Sequence, residues 1–262
     1  SAVSHQIKHL ESQLDKKLFV RTSRAIHLTE DGQSLYDDVQ PLIQKLDVVV
    51  ASHGAAPRNP VLKISVQPFF ASELFVPRLS QFTTLHPEIN IKVETSDESA
   101  EKHPDDVDLS IRIFRKAPTN LRAERLSPLR LVPACSPEFL DRVRINGNRI
   151  VGEFPLIVHD KRPQAWSQWA RSFGMTLPRD STTVRLDSMI AVVRAAERGL
   201  GAALVPLQLS DSWFEASSLV KMFEHELVTK DAYYLVCEES VLKNEQLRLF
   251  HDWVLQNFGD QQ

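Results

Sequence analysis

Cysteine is scarce in this chain: Cys135 and Cys237 are the only two in 262 residues. Two cysteines cannot build a disulfide framework, and theirs is not a metal-ligand spacing. Each follows an apolar, strand-like run, which reads as two buried reduced thiols, with a redox-active pair as the alternative. Long hydrophobic runs are also missing. None approaches the ~18 uncharged apolar residues of a membrane span, so no membrane partner is expected. There is no Gly-rich phosphate loop and no nucleophile elbow, and the nine histidines are scattered. No catalytic residue, metal or cofactor is therefore expected. Nor is there an overall basic excess. The net charge is −3 and the pI about 6.3, which excludes strong non-specific nucleic-acid affinity for the chain as a whole. An apolar content of 42% and a charged content of 25% are those of a globular protein.

The local picture at the N-terminus differs. Residues 1–30 hold five Lys/Arg against three Asp/Glu, and three of the nine histidines. Val3, Ile7, Leu10 and Leu14 recur at spacings of four, three and four, one apolar stripe on a short helix. The other face carries Ser4, His5, Lys8, Glu11 and Ser12, and Ser1 sits where an N-cap belongs. Ser1, Ser4, His5 and Gln6 are groups that reach base edges in a major groove, while Lys8 meets phosphate. Arg21-Thr-Ser-Arg24 followed by the β-like 25–28 reads as a hairpin wing, with Arg21 and Arg24 gripping phosphate or a minor groove. An ordinary amphipathic helix and hairpin is the competing reading.

From Thr29 to about Ser52 the pattern is a long helix, with Thr29 as N-cap and Glu30 and Asp31 in its first turn. Leu28, Leu35, Val39, Leu42, Leu46 and Val49 form an a/d seam that calls for a partner helix, hence a homodimer or homotetramer. Pro41 predicts a kink or break near Val39. Gly54 to Pro60 has hinge composition. Beyond it strand-like and helix-like runs alternate to the C-terminus. That alternation predicts α/β sheets, parallel in the main, covered by helices on both faces.

Ser1-Ala-Val-Ser-His-Gln-Ile-Lys8, Leu10-Glu11, Leu14, Leu18-Phe19, Arg21, Arg24 and Leu28-Thr29 with Gly32 resemble the recognition helix and wing of LysR-type transcriptional regulators. The later part resembles the same family's effector domain: Val76-Pro-Arg-Leu79, His86-Pro87, Asp108 to Arg112, Leu131 to Glu138, and Gly199-x-Gly201 with Pro206. The resemblance implies a partial winged helix-turn-helix over 1–28, whose upstream helix pair is expected to be missing. A linker and dimerisation helix with its hinge would fill 29–60. A two-lobed, Rossmann-like effector domain of type 2 periplasmic-binding-protein architecture would follow over 61–262. Lobe I would comprise 61–132 plus 238–262, and lobe II 133–237. Tyr233 to Val236, Leu156 with His159, and Trp166 with Trp169 look most like the branch of the glycine-cleavage, β-lactamase and D-serine deaminase activators. The implied partners are double-stranded promoter DNA and a small effector, and the implied location is the cytoplasm. The rival is a solute-binding protein of a transport system with the same fold, which would carry no DNA-binding module.

In such a domain a ligand sits outside the strand C-termini, where helix N-termini offer free amides. The helices beginning near Ala71-Ser72 and near Ser188 are the expected anion-facing pair, with Ile111 and Arg112 at the rim. Arg112 would form a bidentate pair with an acid. Pro133, His159, Trp166 and Val205 would complete the wall. Before the Phe70-Ala71 pair, members of this branch carry Ser or Thr; here Phe69 stands there. A ring in place of a hydroxyl predicts an effector with an apolar part, carboxylate or amino-acid-like.

Overall fold

The computed structural model describes residues 2–21, 26–53, 61–96, 102–179 and 181–260. Two compact units divide the chain, 1–60 and 61–262. In the first, helix α1 (Ala2–Leu14) precedes strands β1 (Phe19–Arg21) and β2 (Ile26–Leu28), an antiparallel hairpin, and then the long helix α2 (Glu30–His53). Thr29 caps α2 as its position suggests. Its hydroxyl accepts from the Gly32 amide at 2.9 Å and donates to the Lys17 carbonyl at 2.6 Å. Pro41 does not break α2, which runs continuously past it. The proline costs one N–H, and the Asp37 carbonyl it leaves behind lies on an exposed residue where water takes over. The hinge at 54–60 lies outside the described residues.

Two features lock this unit's turn. Gly32 lies so close to Leu18 that an added Cβ would stand 2.1 Å from the Leu18 carbonyl oxygen. Glu11, assigned by its spacing to the exposed face of α1, is buried instead. Its carboxylate accepts from the amides of Leu18 at 2.9 Å and Phe19 at 3.3 Å, and pairs with Lys17 at 3.2 Å. Those bonds, the Leu18 amide first, hold its pKa below the ordinary carboxylate value.

The second unit is built on one nine-stranded sheet. Strand β3 (Val61–Val66) leads into helix α3 (Pro68–Phe70), a π-turn (Ala71–Phe75) and helix α4 (Val76–Leu85), which form one continuous helical run. Strands β4 (Asn90–Thr95), β5 (Leu109–Phe114) and the long β6 (Arg122–Cys135) follow. After them come helix α5 (Pro137–Leu140), a small hairpin of β7 (Arg144–Asn146) and β8 (Arg149–Val151), strand β9 (Leu156–His159) and helix α6 (Ala165–Phe173). Strand β10 (Thr183–Leu186), helix α7 (Met189–Glu197), strand β11 (Ala202–Pro206), helix α8 (Asp211–Glu215) and strand β12 (Val220–Lys221) lead to the long β13 (Leu227–Cys237) and helix α9 (Glu245–Phe258).

The strand order β10-β9-β11-β6-β13-β5-β3-β4 corrects the expectation of a mainly parallel sheet. Parallel pairs lie at both ends, β10–β9–β11 and β5–β3–β4. The middle is antiparallel, because β6 and β13 are long crossing strands paired to each other and to β11 and β5. Two parallel α/β halves joined by two crossing strands give the two-lobed architecture. Phe75, Phe82, Phe250, Trp253 and Phe258 interlock between the first helical run and α9. Phe154, Trp166, Trp169 and Phe223 pack the other half.

Candidate functional site

In the first unit part of the polar face of α1 is presented to solvent, though Glu11 is not. His5, Gln6 and Lys8 are exposed. Ser1 and Arg24 lie outside the described residues, as do the side chains of Ser4 and Arg21. The opposite stripe is only partly covered within the chain, since Leu10 and Leu14 remain 40% and 42% exposed.

In the second unit a cleft of about 590 Å³ opens between the two halves of the sheet. Gln67, Phe69, Ile113, Leu129, Met189, Pro206 and Tyr233 form its floor and walls. Its charged lining is Lys102, Arg115, His159, Lys161, Arg162 and Asp231. Strand ends deliver most of these residues. Gln67 follows β3, Arg115 follows β5, His159 ends β9 with Lys161 and Arg162 just beyond it, and Asp231 lies in β13. Arg162 and Asp231 make an ion pair at 2.5 Å. The His159 Nδ1 accepts from the Lys161 amide at 3.2 Å, so a neutral ring carries its proton on Nε2.

Phe69 and His159 are therefore at the cleft, as their positions in the sequence suggest. Phe69 is also a bridge. It is almost fully buried and stacks on Trp213 of α8, with centroids 5.9 Å apart and planes 22° apart. Trp213 in turn carries the Arg194 guanidinium over its ring at 5.3 Å. The Phe69 ring thus ties the first helical run to the other half of the domain. Ser188 caps α7 without a side-chain capping bond, and Met189, its neighbour, lines the cleft.

The remaining expectations need correction. Arg112 is wholly buried, and donates to the Ser65 hydroxyl at 2.5 Å and to the Ile111 carbonyl at 3.3 Å. Strand alternation explains this: 111 and 113 share one side of β5, and 112 faces the other. Ile111 itself is core, and the strand reaches the cleft only at Ile113 and Arg115. Phe70 is core, packed on Tyr233 and Phe258 at 5.0 and 5.5 Å. Ser72 does not start a helix. Pro68 does, as proline suits a first turn, and Ser72 is exposed with its hydroxyl donating to the Phe69 carbonyl. Pro133 and Val205 are buried sheet residues, paired with Leu204 and Val132. Trp166 is buried, its indole N–H donating to the Ile157 carbonyl at 3.1 Å, beside a recess of about 10 Å³ that holds at most a water.

Sequence reasoning missed Gln67, Lys102, Arg115, Lys161, Arg162 and Asp231. For Gln67, Arg115, Lys161 and Arg162 the signal was a position just beyond a strand end; Lys102, in the loop before β5, and Asp231, inside β13, carried none. Among the described residues no group of three or more His, Cys, Asp or Glu gathers to hold a metal, and no helix is long and apolar enough to cross a membrane. Burial pushes the Cys135 thiol up to about 12 and the Cys237 thiol up to about 11. Cys237 pairs with Arg122 at the start of β6 while Cys135 ends that strand, which separates them by about 40 Å of strand at ~3.3 Å per residue. No intrachain disulfide joins them.

The model of the LysR substrate binding domain matches residues 55–259, and that of the bacterial regulatory helix-turn-helix protein, lysR family, matches residues 1–33. The glycine cleavage system transcriptional activator of Escherichia coli K12 is 34% identical over 265 residues, covering 97% of this chain and 84% of that protein. The AmpR effector binding domain of Citrobacter freundii superposes with a TM-score of 0.64 at 22% identity, over 75% of this chain and 96% of that one. The full-length Vibrio cholerae virulence activator AphB gives 0.64 at 21%, over 98% and 89%. The match at both ends disposes of the transport-protein alternative, since a helix-turn-helix precedes the two-lobed domain. This chain belongs to the LysR family: it is a non-catalytic, DNA-binding transcriptional regulator with an effector-binding domain.

Proposed function

We propose that the chain binds promoter DNA through the exposed face of α1 and a phosphate-gripping wing, and that a small effector in the cleft controls that binding. Ser1, Ser4, His5 and Gln6 read base edges, Lys8 meets phosphate, and Arg21 and Arg24 hold the duplex backbone. The half-exposed stripe at Leu10 and Leu14 is a surface for further apolar packing against α1. Two or four copies assemble through α2, which places the recognition helices at half-sites about one DNA turn apart. The effector, carboxylate or amino-acid-like with an apolar part, biases lobe closure and so the spacing of those helices. The protein acts in the cytoplasm, where its DNA is, and belongs with the branch of the glycine-cleavage, β-lactamase and D-serine deaminase activators, a placement supported by the 34% identity to a glycine cleavage system activator.

The observation that carries the effector reading is the cleft itself, large enough for a metabolite and lined by apolar floor and charged rim. DNase footprinting upstream of its own or a divergent neighbouring gene tests the DNA half; no protection at moderate salt ends the reading. Thermal-shift screening of carboxylates and amino acids tests the other half. A shift lost in Ser188→Ala and weakened in His159→Ala supports the cleft, and a shift indifferent to both moves the ligand elsewhere.

A further inference from the structure

Helix α1 is tied to its unit by an acid rather than by its apolar stripe. Among the described side chains of α1 only that of Glu11 is buried, while Leu10 and Leu14 stay half exposed. Burying a carboxylate carries a desolvation cost that an aliphatic side chain would not, so what Glu11 contributes lies in its bonds. Both its backbone and its side chain are engaged. The Glu11 carbonyl accepts from the Lys16 amide at 3.1 Å, the bond that closes a Schellman turn, with Asp15 left-handed at φ 50°. Its Oε1 accepts from the amides of Leu18 at 2.9 Å and Phe19 at 3.3 Å, and Phe19 is the first residue of the wing strand β1.

The same two peptide groups are held on their other side by α2. The Lys17 carbonyl, in one peptide group with the Leu18 amide, accepts from the Thr29 hydroxyl at 2.6 Å. The Leu18 carbonyl, in one peptide group with the Phe19 amide, accepts from the Thr29 amide at 3.0 Å. Thr29 is the N-cap of α2, its hydroxyl accepting from the Gly32 amide at 2.9 Å. Two consecutive peptide planes therefore stand between the Glu11 carboxylate and the first turn of α2. An anion at the amide end polarises each peptide toward its carbonyl, which strengthens the bond beyond it. Two ion pairs, Lys16 with Asp31 of α2 and Lys17 with Glu11, reinforce the same turn.

We infer that Glu11 is a positioning residue for DNA binding: through the two peptide groups of residues 17–19 it fixes the wing and the N-terminus of α2 to α1. It acts through these groups and not by touching DNA. The inference rests on the reading of α1 as the recognition helix and of Arg21 and Arg24 as the wing's phosphate contacts. To that reading it adds the residue that makes the base-reading face, the wing and the linker helix move together.

Two measurements on the full chain test it, one of them without DNA. Hydrogen exchange, read by mass spectrometry over residues 29–33, should show protection falling about tenfold in Glu11→Ala. Glu11 makes no hydrogen bond to that segment among the described residues, so the loss must pass through the turn. Exchange farther along α2, over residues 36–42, should keep the parent's rate. Glu11→Gln, whose Oε1 still accepts from both amides, should keep most of the protection. Unchanged protection in the alanine variant, equal loss in both variants, or a fall along the whole of α2 overturns the inference. The last of these would mean that Glu11 only keeps the unit folded. The second measurement is the salt dependence of affinity for the duplex that footprinting protects. In Glu11→Ala the slope of log K against log salt should shrink by about two, the wing's two phosphate contacts. Arg24→Ala, costing about tenfold in the parent, should cost less than about twofold in that background. An unchanged slope, with Arg24→Ala equally costly in both backgrounds, overturns the positioning role even if affinity falls. A parent that protects no DNA defeats the recognition-helix reading instead, and the exchange experiment then decides the coupling by itself.

Discussion

Two arginines three residues apart, Arg112 and Arg115, do opposite work. Arg112 is sealed beneath the sheet with Ser65, Ser110 and His103 around it, whereas Arg115 stands at the cleft. Arg112→Met should cost about 2–4 kcal/mol in chemical denaturation, because buried partners are left without their charge. The same denaturation curve should barely move in Arg115→Ala. His103 has its Nδ1 2.8 Å from the Ser110 hydroxyl, and burial holds its pKa below the usual 6.5, with Arg112 adding to the effect and Glu238 and Asp105 opposing it. The unfolded ring therefore binds a proton more readily than the folded one. Its contribution to stability is full above pH 6.5 and is lost as pH falls from there through the folded value. Urea midpoints taken between pH 7.5 and 5 should fall, and His103→Gln should flatten the decline. The thiols are a third case. With values of about 12 and 11, about a thousandth or less of either is ionised at pH 8. Ellman's reagent should find almost no reactive thiol in the native chain and two equivalents in denaturant.

Elements set how much of this was legible in advance. The Thr29 cap, the α2 helix and the paired strands β3 and β5 follow from periodicity and capping chemistry, which act locally. Glu11 was misplaced because its partners, the amides of Leu18 and Phe19, exist only once α1 folds back on β1. Arg112 was misplaced by one step of strand parity, and Lys102, Arg115, Lys161 and Arg162 sit in loops where no period marks them. The short β7–β8 hairpin escaped for the same reason: three-residue strands carry too little pattern. The crossing strands β6 and β13 turned a parallel expectation into a mixed sheet, since pairing order depends on contacts across a hundred residues. The tight Gly32–Leu18 approach makes a prediction at this scale. Gly32→Ala drives a methyl into a backbone carbonyl and should displace the α2 N-terminus. DNA affinity should then drop on every sequence alike while cleft ligands bind as before. A loss confined to one operator would show that the turn does not position the DNA-binding unit.

At the scale of the whole molecule, the unanswered surface is on α2. Leu42, Ile43 and Leu46 are 63%, 53% and 59% exposed, and Tyr36 and Val39 extend the same stripe. Val49, the last position of the seam, has its side chain outside the described residues. A stripe this continuous on a helix of 24 residues is what a second copy covers, since each large aliphatic side chain moved out of water contributes about 1.5–3 kcal/mol. Replacing Leu42 and Leu46 together by glutamate puts like charges across such a seam and removes its apolar knobs. Light scattering after size exclusion should then find a species of about 30 kDa, the mass of one chain at 29.8 kDa, where the parent gives two or four times that. Because a single recognition helix holds one half-site, the variant should lose DNA affinity steeply and with a shallower salt dependence, since fewer phosphates are neutralised. Cleft binding reads the second unit alone and should be unchanged. If the double variant stays oligomeric, assembly runs through the effector domain, and α2 spaces the DNA-binding units without holding them together.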